Sequence, residues 1–136
     1  MFSAPAVTIH GLEHARTALR PGMAVVLVSA PGAALYAGCG WWGGLIAAAR
    51  AEYPGNWRDL LDCADAPGAA MAALRLGLKA LVLDGESPAF PAVAAAAATC
   101  GAIVLPQRPA CLDLAAADGA WRLAAWLQRD IDPRLR

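Results

Sequence analysis

Five short apolar runs, at residues 6–10, 24–28, 57–63, 80–83 and 102–105, alternate with longer segments whose apolar residues recur at helical spacing. This alternation constrains the chain more than any other feature. A continuous β-branched run such as Ala24-Val25-Val26-Leu27-Val28 suits a strand buried on both faces. A parallel neighbour of such a strand is reached only through a crossover of a dozen or more residues, normally a helix. Five strand–helix repeats therefore predict a parallel sheet with flanking helices.

The helical segments carry their own punctuation. Leu12, Ala15 and Leu19 share one face before Pro21-Gly22 stops the first. The second is expected to begin near Gly40, with Trp41, Leu45 and Ala48 on one face and Trp42, Ile46 and Ala49 on the next, and to close at Tyr53-Pro54-Gly55. Asp65 is the expected N-cap of a third that has Pro67 in its first turn and Gly77 at its end. Pro88 opens an alanine-rich fourth ending at Gly101, and Asp118 is the expected cap of a last helix bearing Leu123, Trp126 and Leu127. The expectation is a single three-layer α/β domain over residues 1–129, with about five mostly parallel strands, followed by a polar tail at 130–136. Its sheet is either open and flavodoxin-like or half of a (β/α)8 barrel.

With 136 residues the chain suits one domain and one core, so no disulfide is required. Eleven basic residues balance eleven acidic ones, which argues against nucleic acid as a partner. A composition 59% hydrophobic and 16% charged argues against disorder. Residues 23–49 lack charge for 27 positions, but Ser29, Pro31 and Gly32 break the stretch, so no membrane span is expected. The first ten residues lack the basic start of an export signal, and a cytoplasmic setting with Cys39, Cys63, Cys100 and Cys111 reduced is expected.

Several chemistries lack their residues. There is no GxxxxGK[ST] phosphate cradle and no GxSxG nucleophile elbow. Gly38-Cys39-Gly40-Trp41-Trp42-Gly43 fits GxGxxG by letter, but it follows the wrong strand, and helix-to-sheet packing explains the glycines as well. The strand count is similar to that of a two-component receiver domain. That resemblance requires an acidic pair after the first strand and a lysine after the fifth, where this chain has His10-Gly11 and Pro106-Gln107. The sole lysine, Lys79, precedes the fourth strand, away from the end where α/β active sites form.

His10-Gly11-Leu12-Glu13-His14 resembles the HxxEH motif of the inverted zinc peptidases. That resemblance implies His10 and His14 as ligands, Glu13 as base and Glu86 as third ligand. The competing reading places His14 on a solvated helix face and Glu13 at the helix N-terminus, and no metal is expected. Position supplies the better clue, because ligands of α/β sheets sit outside the carboxyl ends of the strands. Ser29, Gly32, Asp65, Asp84, Glu86 and Arg108 fall at those exits and are the candidate ligand-binding residues, with Arg108 and helix N-termini expected to receive a small anionic metabolite. His10, Asp62 and Cys63 are the catalytic candidates of the alternative, a thiol- or His/Asp-dependent enzyme. A third alternative is a structural subunit. The scarcity of charge on an alanine-rich surface, with Trp41, Trp42 and Trp57 as possible anchors, leads to an expectation of self-association.

Overall fold

The computed structural model describes residues 3–129, and the tail expected at 130–136 lies outside the described residues. In chain order the elements are β1 (Ala6–Thr8), α1 (Leu12–Leu19), β2 (Val26–Val28), α2 (Ala33–Tyr36), α3 (Cys39–Glu52), β3 (Arg58–Asp62), α4 (Pro67–Leu76), β4 (Ala80–Val82), α5 (Phe90–Thr99), β5 (Ile103–Leu105), β6 (Cys111–Asp113) and α6 (Gly119–Leu127). The strand–helix alternation thus yields a single sheet of six parallel strands flanked by six helices, the expected α/β domain. Two elements exceed the expectation. The sixth strand is only Cys-Leu-Asp between a proline-rich link and a turn, and α2 is a single turn after Gly32.

The strand order is β5-β4-β3-β2-β1-β6, so the first five strands advance across the sheet in one direction and the sixth returns to the far side of β1. Val7 stands level with Leu27 on one side and with Leu112 on the other. Right-handed crossovers that all advance the same way place their helices on one face. Accordingly Val7, Leu27, Leu61, Leu81 and Leu112 join Ala15, Trp42, Ala73, Val93 and Leu123 from the helices in one continuous core. The opposite face carries a smaller cluster of Ala6, Val26, Val28, Leu60, Ala80 and Val82, against which Ala4, Leu105 and Cys111 pack.

Every member of that smaller cluster is buried although only strand and link residues cover it, so the sheet coils around it. Chain length demands the same result. Leu105 ends β5 and Cys111 begins β6, and the six Cα–Cα steps between them reach at most about 22 Å. A flat six-stranded sheet holds its edges about 24 Å apart, before any climb along the strands. The sheet is therefore open in its pairing, with β5 and β6 as edges, and coiled in shape.

Local chemistry explains the boundaries. Pro67 opens α4, and Gly77, at φ 97°, closes it by donating to Ala73 and Leu74 carbonyls, as expected. Asp65 is not its N-cap; Ala66 holds that position without a side-chain bond, and Asp65 is left in the turn. Asp118 does occupy the N-cap position of α6, but its carboxylate faces Arg122 at 3.8 Å instead of the helix amides. At Gly43 an added Cβ would stand 3.4 Å from Leu76, so α3 and α4 approach closely there, whereas Gly38, Gly40 and Gly44 have open space around them. The uncharged stretch 23–49 divides among β2, α2 and α3, and among the described residues no helix is long and apolar enough to cross a membrane.

Two glycines in helices test this packing in opposite directions. A Cβ on Gly119 would stand 2.3 Å from the Asp113 carbonyl, so Gly119→Ala is expected to destabilise the domain by about 1–3 kcal/mol. Gly44, exposed within α3, has nothing within 4 Å, and Gly44→Ala is expected to stabilise by about 0.5–1 kcal/mol. Urea unfolding of both variants checks the pair of signs.

Candidate functional site

The return from β5 to β6 brings Arg108 over the inner face of the sheet. Its guanidinium donates to Asp62 Oδ2 at 2.7 Å, to the Ser29 carbonyl at 2.9 Å and to Thr8 Oγ1 at 3.0 Å. One side chain thereby ties together the ends of β1, β2 and β3. Asp62 is only 3% exposed, and its second oxygen accepts from the Ala64 amide at 2.7 Å. Ser29 is fully buried, with its hydroxyl accepting from the Asp62 amide and donating to the Ala30 carbonyl. Ser29 and Arg108 are thus engaged inside the protein, where Asp62, Thr8 and the Ser29 carbonyl accept from the Arg108 guanidinium.

Beside this latch lies a hollow of about 530 Å³, lined by Asp62, Ala64, Asp65, Val82, Asp84, Pro106 and Gln107. It sits at the carboxyl ends of β3 and β4, where open α/β sheets present their ligand crevices. Ala64 holds a left-handed backbone at φ 51°, unusual for a residue with a Cβ. The conformation is held from both sides, by the Asp62 carboxylate on its N–H and by the Asp84 amide, which donates to its carbonyl at 2.8 Å. Asp65 and Asp84 are exposed on the rim, and Asp84 Oδ1 accepts from the Glu86 amide. Glu86 itself is exposed outside the lining, and Gly32, at φ 68°, turns the chain between β2 and α2 against Ala64. Of the six expected ligand-binding residues, the structure brings Asp65 and Asp84 to the hollow and uses Ser29, Gly32 and Arg108 to build around it.

His10 does not meet Asp62. Its Nε2 lies 2.8 Å from Asp113 Oδ1 at the far edge of the sheet, with β2 standing between β1 and β3. The His10 amide donates to His14 Nδ1 at 3.0 Å, and the two rings meet edge to face at 5.6 Å. Burial and the neighbouring His10 lower the His14 pKa despite Asp113. Burial opposes ionisation of Asp113, but the Ala115 amide and His10 hold its carboxyl below the ordinary value.

The HxxEH spacing does not assemble a zinc site. His10 precedes α1, so the two histidines do not share a helical face, and His14 Nδ1 is already occupied. Glu13 pairs with Arg16, and Glu86 lies three strands from β1. Among the described residues no group of three or more His, Cys, Asp or Glu is arranged to hold a metal.

Cys63 points into the helix-covered core, on the face opposite to Asp62, and is fully buried. Burial, with Asp62 and Cys39 nearby, pushes its thiol up to about 12, far from the thiolate that a nucleophile requires. Its position at a strand exit suggested reactivity, but the alternation of side chains along β3 turned it inward. Asp113, the residue that engages His10, was missed because a three-residue strand carries too little pattern to be seen.

The latch has a measurable energy. Arg108→Met leaves the Asp62 carboxylate buried without its cation and is expected to cost about 3 kcal/mol. Arg108→Met with Asp62→Leu is expected to recover most of that loss, because no orphan charge remains. Guanidinium unfolding of the single and double variants checks both. The comparisons with known proteins add no relative: no protein-family model matches the chain, and no curated protein matches its sequence.

Proposed function

We propose that this protein is a small-molecule-binding domain whose carboxyl-end hollow receives a compact organic cation. The observation that carries this reading is the charge of the hollow: Asp65 and Asp84 stand on its rim, Gln107 offers an amide, and the nearby cation, Arg108, is bound to Asp62. A carboxylate or phosphate ligand would meet two aspartates there, whereas an ammonium group gains a charge-assisted hydrogen bond from each. The role is binding and not turnover. Cys63 faces the other side of the sheet, and His10 is held by Asp113 at the edge.

Titration with putrescine and ethanolamine, followed by saturation-transfer NMR, tests the reading against acetate as the anionic control. Both amines are expected to saturate, with affinity falling about two- to fivefold for each of Asp65→Asn and Asp84→Asn. Binding by acetate alone, or amine binding indifferent to both substitutions, overturns it.

Self-association is part of the same proposal. Leu35 and Tyr36 on α2, Trp41 on α3 and Leu76 on α4 are exposed by 56%, 70%, 39% and 54%, and α4 packs against both α2 and α3. Tyr36→Asp with Leu76→Asp is expected to convert an oligomer to a monomer in native mass spectrometry. A monomeric parent protein contradicts self-association.

A further inference from the structure

A second hollow, of about 510 Å³, opens at the amino-terminal ends of the strands, opposite to the acidic one. Two connections form it: the turn from α1 to β2 and the loop from α3 to β3. The loop is fixed before any ligand arrives. Trp57 Nε1 donates to the Tyr53 carbonyl at 2.8 Å, and Arg50 donates to the Trp57 carbonyl at 3.1 Å. The Arg50 guanidinium also lies 4.0 Å from the Trp57 ring centre and is itself anchored on Asp59 at 2.9 Å. The turn is shaped by Gly22, whose φ of 71° favours glycine.

The walls are largely apolar, with Arg20 at the lining. Leu19, Met23, Tyr53, Pro54 and Trp57 supply aliphatic and aromatic surface, while Arg20 brings a cation. The acid at the lining, Glu52, is held away by Arg16, which donates to both of its carboxylate oxygens at 2.7 and 2.8 Å and also pairs with Glu13. A site with a largely apolar wall and a few placed polar groups is the usual form of a small-molecule pocket. We propose that this amino-end hollow binds an organic anion with a flat apolar body, its carboxylate toward Arg20 and its ring against Met23, Tyr53 and Trp57. This site is separate from the carboxyl-end hollow and takes a ligand of opposite charge.

Naphthoate is the probe, with naphthalenemethanol as its neutral counterpart and amide shifts of the full-length protein as the readout. Naphthoate is expected to shift the amides of residues 20–26 and 52–58 saturably and to bind more tightly than the alcohol. Arg20→Gln is expected to weaken it about threefold to fivefold, and Arg20→Lys, which keeps the charge, to restore most of the affinity. Arg20 is exposed beyond α1, and the fold of each variant is read from the same spectra. The proposal is overturned by shifts centred on the exposed Trp121 of α6 or on the carboxyl-end hollow, by equal affinity for acid and alcohol, by indifference to Arg20→Gln, or by no saturable shift.

Discussion

The return from β5 to β6 sets the shape of the molecule. Five residues must carry the chain from one edge of the sheet to the other, and they reach only because the sheet coils. Coiling buries small and branched side chains such as Ala6, Val26, Val28 and Ala80 on the inner face without a second set of helices. It also draws a charged residue into a confined space. Arg108 is accommodated because Asp62, Thr8 and the Ser29 carbonyl each accept from it, leaving no buried side-chain polar atom unpaired among the described residues. Gly85 belongs to the same arrangement. An added Cβ there would meet Pro106 at 2.7 Å, so the first residue of the link lies directly against the exit of β4.

A chain with no net charge is nevertheless polarised along its strands. Asp65, Asp84 and Glu86 follow the carboxyl ends of β3 and β4, whereas Arg20 and Arg58 line the amino-end hollow and Lys79 precedes β4. This arrangement follows the backbone. In a parallel α/β domain the helix N-termini lie at the carboxyl ends of the strands and the C-termini at the amino ends. Acids near the former and bases near the latter complement the helix dipoles. The same polarity places Asp65 and Asp84 at one hollow and Arg20 at the other, and overall neutrality conceals it.

Strand–helix alternation was legible because residues such as Ala24–Val28 and Leu81–Leu83 are apolar without interruption and are bounded by turn residues. Pro67 and Gly77 marked their helix ends for reasons that are local, and local reasons survive tertiary packing. What stayed hidden depends on distant contact. The sixth strand is recognisable only through its pairing with β1, the Arg108 latch joins residues 46 to 100 positions apart, and the His10 partner lies 103 positions away. Strand exits pointed to Asp65 and Asp84, which line the carboxyl-end hollow and remain exposed to water. The same rule could not show the internal bonds of Arg108 and Ser29, because position along a strand does not reveal which polar groups meet inside the fold. The amino-end hollow was outside the rule altogether, being made by two loops at the other end of the sheet.

The pairing of β1 with β6 also dictates an order of events during synthesis. Each strand from β2 to β5 joins the neighbour made just before it, so each strand–helix unit can dock as it emerges from the ribosome. β1 is different: one of its edges waits for Cys111–Asp113, and the Ala6 carbonyl waits for the Trp126 indole, which donates to it at 2.8 Å. The earliest strand made is therefore the last to be enclosed. Until β6 is made it carries a bare parallel edge, the kind of edge that invites pairing with another chain.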